Sequence, residues 1–360
     1  MGIDKLIETP PYALDKNQKS QALLQYLIDL TNWHYENSTA YHRILDASGY
    51  AVSDVHSIED IPFIPVSLFK DYELLSVDKD SIKKTMTSSG TTGQKVSKVF
   101  LDAETLNNQR RVLAKIIASY IGPSRLPLLI LDSELAIKDR ALFSARGAGI
   151  MGFSVFGRDI TYALNHDMTL NIDAVTAFLT KHRETPILLF GYTFMIWQHF
   201  FKELAASDIT LDFGKEATLF HVGGWKKLKD QAVDADSFKK SLAKQCGILR
   251  VHDYYGMAEQ LGSIFVACEY GHLHSSIFSE IVVRRHIDFS PCDIGELGII
   301  QVISAIPHSY PGHSLLTEDE GVILGEDDCP CGRKGKYFKI NGRLKNAEIR
   351  GCSDTYAAKF

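Results

Sequence analysis

The stretch Met86-Thr87-Ser88-Ser89-Gly90-Thr91-Thr92-Gly93-Gln94-Lys95 decides how this chain is read. It gathers hydroxyls, two glycines and a lysine between Ser81–Met86 and the strand-like run Val96–Leu101. Glycine lets a backbone approach a ligand closely and take positive φ. Successive N–H groups, threonine hydroxyls and an ammonium then form a concave anion site. A polyphosphate suits such a loop, which points to a nucleotide-using enzyme. A P-loop requires lysine directly after its second glycine. Here Gly90 and Gly93 are too close, Gln94 separates Gly93 from Lys95, and the next helix opens only near Asp102. This spacing argues against a P-loop kinase or GTPase. The alternative is a Ser/Thr/Gly surface turn, and it weakens because other segments suit the same ligand.

Around this loop the chain alternates. Residues 16–35 form an amphipathic helix with Leu23, Leu24, Leu27, Ile28 and Leu30 at three- and four-residue steps. Ile61–Val66 is extended by its prolines. A helix runs from an Asp102 cap to about Tyr120, with Gly122 as its stop. Apolar strands at Leu128–Leu131, Ile187–Phe190, Thr218–Val222 and Ile248–His252 alternate with helices at Lys138–Ile150, Ile172–Lys181, Phe194–Ala206 and Ser237–Gln245. Such alternation predicts an α/β fold with a largely parallel sheet covered on both faces. After Ser279 the pattern turns β-rich, at Glu280–Arg285, Leu297–Ser304 and Gly321–Leu324. The expected segments are an N-terminal helical part (1–60), an α/β nucleotide- and acyl-binding core (61–278), a β-rich subdomain (279–342) and a short tail (343–360). Ligands bind beyond the carboxyl ends of such strands. The loops there are Phe190–Thr193, His221–Lys227 and Asp253–Glu259.

Four motifs in order then resemble the adenylate-forming enzymes: acyl-CoA synthetases, luciferases and aryl-CoA ligases. They are Thr87–Gly93, Asp253-Tyr254-Tyr255-Gly256-Met257-Ala258-Glu259, Thr317-Glu318-Asp319, and Asn341-Gly342-Arg343-Leu344-Lys345. The resemblance implies ATP and Mg²⁺ as cofactors. Ser88, Ser89, Gly90 and Gly93 would cradle phosphates. Gly223 and Gly224 would border the adenine, and Tyr255, beside Gly256, would stack on it. Glu259 would hold Mg²⁺, Asp319 would accept from the ribose hydroxyls, and Arg343 would bind ribose or phosphate through its fork of donors. The implied reaction is attack of a carboxylate on the α-phosphate of ATP, with pyrophosphate leaving. Mg²⁺, Lys95, Thr91 and Thr92 would neutralise charge there. Trp225 is either wall or core, and Phe190, Tyr192 and Phe194 either line the acyl pocket or pack inside.

The chain departs from the ordinary pattern in two ways. Glu318 stands where the family has glycine. Only 17 residues follow Arg343 (360 − 343), without a full-length C-terminal lid domain. The catalytic lysine of that domain would be either absent or replaced by Lys226, Lys345 or Lys359. One short branch fits: the chain resembles the acyl-protein synthetase of the bacterial bioluminescence fatty-acid reductase system, through Val222–Leu228, Cys329-Pro330-Cys331-Gly332-Arg333 and the tail Glu348–Asp354. By tail position, Cys352 would receive the acyl group as a thioester and pass it to an acyl reductase partner, with Arg350 lowering its pKa. The rival expectations are a phenylacetate-type aryl- or acyl-CoA ligase and a non-catalytic nucleotide-binding subunit.

Cys268, His274, Cys329 and Cys331 supply four soft ligands suited to a structural zinc site, with His272 competing for the imidazole place. The alternative is reduced cysteines in a turn and a core. His221 and His252 read as satisfied strand-end residues. A net charge of −5 argues against nucleic acid as a partner. No apolar run reaches the roughly 20 residues of a membrane span, and Met1–Lys16 lacks a signal-peptide core. A cytoplasmic enzyme is expected, alone or as a homo-oligomer.

Overall fold

The computed structural model describes residues 2–87, 96–138, 145–207, 209–225 and 232–344. Ser88, Ser89, Gly90, Thr91, Thr92, Gly93 and Lys95 lie outside them, as do Lys226, Lys345, Arg350, Cys352 and Lys359. The chain forms two compact units. In described residues, one comprises 2–87, 96–120 and 256–344; the other runs from 121 to 255. This division cuts across the linear segments 1–60, 61–278 and 279–342, because the second unit is inserted between parts of the first.

The first unit joins helices to a mainly antiparallel sheet. Helix Lys16–Asn37 begins at Asp15, which forms a capping box with Gln18. Helix Ala103–Ile121 begins where Asp102 accepts the Thr105 N–H at 2.8 Å. The sheet order is Ser279–Arg284, Leu297–Ser304, Ser314–Glu326, Lys336–Arg343, Leu273–His274 and Phe265–Ala267. Ile64–Pro65 adds a short parallel pairing on Ser314–Glu326. Separately, Lys84–Thr87 and Lys98–Leu101 pair antiparallel, Thr87 opposite Lys98, so a hairpin brackets the hydroxyl-rich stretch.

The second unit is the parallel sheet read from the apolar runs. Its order is Arg250–Tyr255, Thr218–Val222, Leu188–Tyr192, Leu126–Ser133 and Gly157–Leu164, every pairing parallel. The middle strands are buried on both faces, as apolar runs between helix layers require. Three details differ from the expectation. Gly157–Leu164 was not anticipated: it is an edge strand, with Arg158, Asp159 and Ile160 exposed. The helix expected over Lys138–Ile150 is Leu135–Lys138 and Ala145–Ser154. The helix at Phe194–Ala206 contains a π-helical segment, Ile196–Phe201, a widening often found near functional sites.

Candidate functional site

At the carboxyl edge of the parallel sheet, Gly223 takes φ +83°, a conformation few residues other than glycine adopt. It leaves strand Thr218–Val222 with Gly224 exposed beside it. The next strand runs to Tyr255, three residues beyond the expected end, so Asp253–Tyr255 belong to the strand and Gly256 opens the loop. His221 pairs with Asp253 in register, which brings Gly223 and half-buried Tyr255 to the same sheet edge. Thr193 Oγ1 lies 2.9 Å from His221 Nδ1, and burial pushes that imidazole down to about 3. His221 is thus a neutral, hydrogen-bonded strand-end residue, and His252 packs at a tilt on Phe220. Phe190 and Tyr192 are buried, Phe190 stacking on Phe153 at 4.1 Å. Trp225 packs on the core through Trp197.

In the other unit, the last two motifs meet. Strands Ser314–Glu326 and Lys336–Arg343 place Asp319 opposite Arg343, next to a register shift at Glu320/Gly321. Bulges of this kind re-aim side chains beside functional sites. Arg343 Nε is 3.4 Å from Asp319 Oδ1, and its Nη2 is 3.4 Å from Glu318 Oε2. Thr317 Oγ1 donates to Ile300 O at 2.8 Å and accepts the Asp319 N–H at 3.1 Å, so the threonine fixes the aspartate's backbone. Glu318 was read only as a departure from glycine. Here it is the second carboxylate on Arg343, a role set by a strand 25 residues away.

Glu259 sits on the short helical turn Ala258–Gln260 and is buried. A single hard carboxylate suits Mg²⁺, which takes one or two carboxylates and fills its shell with phosphate oxygens and water.

Cys268, His274, Cys329 and Cys331 converge as a set, with their donor atoms all within 4.8 Å of one another. Cys268 and Cys329 sulfurs are 3.9 Å apart, and Cys331 Sγ is 3.4 Å from His274 Nε2. Burial raises the Cys268 thiol, raises Cys329 to about 12 and pushes His274 down to about 3. Three sulfurs and one nitrogen at this spacing fit a closed tetrahedral zinc site, in which metal binding takes thiolates and neutral imidazole. His272 stands outside the set: its Nδ1 is 3.3 Å from Cys329 Sγ and its ring stacks on Tyr337, as partners of metal ligands do. Arg333, read from the sequence only as the end of the Cys329–Arg333 motif, lies 4.4 Å over the Tyr120 ring and donates from Nη1 to Glu269 Oε2 at 3.0 Å.

Comparison with known proteins gives the family and the fold. A long-chain-fatty-acid--luciferin-component ligase of Vibrio harveyi is 24% identical over 340 residues, covering 91% of this chain and 85% of the relative. The ligase of the same name from Aliivibrio fischeri is 22% identical, covering 97% and 92%. A crystal structure of 2-hydroxyisobutyryl-CoA ligase in an open conformation, with 2-HIB-AMP and CoA, superposes with a TM-score of 0.70 at 15% identity, covering 95% of this chain and 79% of that one. The fold is therefore that of the adenylate-forming ligases. The family description "acyl-protein synthetase, LuxE" matches residues 2–360, and with the whole length accounted for in this way, the chain belongs to the LuxE family of acyl-protein synthetases.

Proposed function

We propose that this chain is a cytoplasmic enzyme that uses ATP to activate a long-chain fatty acid, loads the acyl group on Cys352 as a thioester, and delivers it to an acyl reductase. The observation that carries the reading is the meeting of Asp319 and Arg343 across one strand pair in a chain whose family makes acyl-proteins. In the first step a carboxylate oxygen bonds to the α-phosphorus, the bond from that phosphorus to the β-bridging oxygen breaks, and pyrophosphate leaves. Asp319 holds the ribose hydroxyls, Arg343 binds ribose or phosphate, and Tyr255 stacks on the base. The loop from Ser88 to Gly93 cradles the phosphates, while Thr91, Thr92 and Lys95 offset charge as it develops. Mg²⁺ held by Glu259 would supply further charge neutralisation there. In the second step the Cys352 thiolate attacks the acyl carbon and AMP leaves with the bonding pair.

The test is incubation with ATP and radiolabelled fatty acids of graded length, followed by denaturing gel analysis. Labelled protein is expected. Cys352→Ser should keep acid-dependent ATP–pyrophosphate exchange and lose the label. Unchanged labelling of that variant removes Cys352 from the second step, and label appearing only on free CoA replaces the reading with a CoA ligase. The Cys/His set is read as a structural zinc site. Elemental analysis should find about one zinc per chain, lost in Cys268→Ser.

A further inference from the structure

The turn that carries Glu259 is held from several directions by groups that play no part in the chemistry proposed above. Tyr310, fully buried, donates its hydroxyl to Glu259 O at 2.9 Å. Gln260, 2% exposed, donates from Nε2 to Gly312 O at 2.8 Å and to Val302 O at 3.0 Å. The two segments also touch without side chains between them. A Cβ on Gly312 would come 2.9 Å from Glu259 O and closer still to the Tyr310 ring. On another side Gly262, at φ +88°, lies against helix Ala103–Ile121, where a Cβ would meet Gln109 Cα at 2.7 Å. The backbone around Glu259 is therefore closely packed against two neighbouring segments.

A surface glutamate on a turn needs none of this. A buried carboxylate that must meet a metal with strict octahedral geometry needs its direction fixed in advance. Resting on the reading of Glu259 as the Mg²⁺ ligand, we propose that Tyr310 and Gln260 are positioning residues that aim the Glu259 carboxylate at the metal of bound Mg²⁺·ATP. Neither touches the metal. Tyr310 anchors the Glu259 carbonyl, and Gln260 ties the turn to the loop ahead of strand Ser314–Glu326, which carries Asp319.

Titration calorimetry of ATP, without any carboxylic acid, measures this on the full chain independently of turnover. ATP affinity is read in chelator and again in excess Mg²⁺, and the ratio is the gain due to the metal. Tyr310→Phe removes one neutral hydrogen bond and no volume. It should reduce that gain about two- to tenfold, the range for one such bond, and leave the affinity in chelator unchanged. Gln260→Met should act in the same direction, with thermal melting of the free protein reporting its fold. If Gln260→Met does not fold, Tyr310→Phe alone decides. A wild-type gain in Tyr310→Phe, with the gain lost in Glu259→Gln, overturns the positioning role and keeps the ligand. A wild-type gain in Glu259→Gln overturns the ligand reading itself.

Discussion

Strand Lys336–Arg343 carries a cation at each end, and the two ends live in different environments. Lys336 is buried; its Nζ lies 2.8 Å from Glu59 Oε1 and 3.4 Å from Ile281 O. Next to it Lys19 Nζ lies 3.1 Å from Glu280 Oε2 and 3.0 Å from Ser275 Oγ, with both charged side chains no more than 5% exposed. At the other end the Arg343 side chain is 38% exposed and lies 3.4 Å from both Asp319 and Glu318. The strand passes from buried to exposed along its length. Charges at the buried end tie helix Lys16–Asn37 and strand Ser279–Arg284 into one core. Charges at the open end are partly exposed, as suits groups proposed to meet a ligand.

The largest expected effect breaks the buried end. Glu280→Ala leaves Lys19 as an uncompensated buried ammonium and should lower the unfolding free energy by about 3–5 kcal/mol in urea titration. Replacing both members, as Lys19→Met with Glu280→Leu, should recover most of that loss, because the desolvation cost goes with the pair. A single-variant loss below about 1 kcal/mol would show that burial does not separate the two ends.

A smaller effect follows from pH. In the loop that precedes strand Ser314–Glu326, His313 stacks on His34 at 4.8 Å, both buried. Burial pushes His34 well below 6.5 and His313 down to about 3. Between pH 6.5 and 3 the unfolded chain binds protons that the folded sites refuse, so stability is full above 6.5 and falls on acidification. His313 contributes about 1.4 kcal/mol of loss by pH 5.5, and His34 acts in the same direction. His313→Gln should flatten the slope of unfolding free energy against pH in that window, whatever it does to stability at neutral pH. An unchanged slope would mean that His313 is accessible to protons in the folded state.

This contrast between ends also explains what could be read from sequence. Apolar runs such as Leu128–Leu131 and Ile187–Phe190 announced central parallel strands because both faces of each are buried. Gly157–Leu164 was silent because an edge strand needs no such run. The π-helical turn at Ile196–Phe201 depends on which carbonyl each N–H reaches, and composition does not encode that choice. The cluster of Cys268, His274, Cys329 and Cys331 was legible from residue type and spacing, because three thiols and an imidazole are the donor set proposed for zinc. Lys19, Lys336 and Glu280 passed unnoticed because their partners are far away in sequence: 256 residues separate Lys19 from Ser275 and 277 separate Lys336 from Glu59. A separation of 51 residues likewise hid Tyr310 from Glu259. Motif residues could be found one by one, whereas the groups that hold them could not.

The smallest stability effect belongs to the open end, and there it sharpens the comparison most. Asp319→Asn and Glu318→Gln each weaken a partly exposed ion pair, so neither should change the unfolding free energy by more than about 1 kcal/mol. The two should part in nucleotide binding. Asp319→Asn keeps the side chain's size but loses the charge proposed to accept the ribose hydroxyls, and should weaken ATP about tenfold by calorimetry, the range for a hydrogen bond to a charged group. Glu318→Gln loses only a restraint on Arg343. If the guanidinium must leave that carboxylate to reach ribose or phosphate, the variant should bind ATP as well as the parent or slightly better. A tenfold loss in Glu318→Gln would instead make the acidic pair a fixed support for Arg343, and the open end would then be as structural as the buried one.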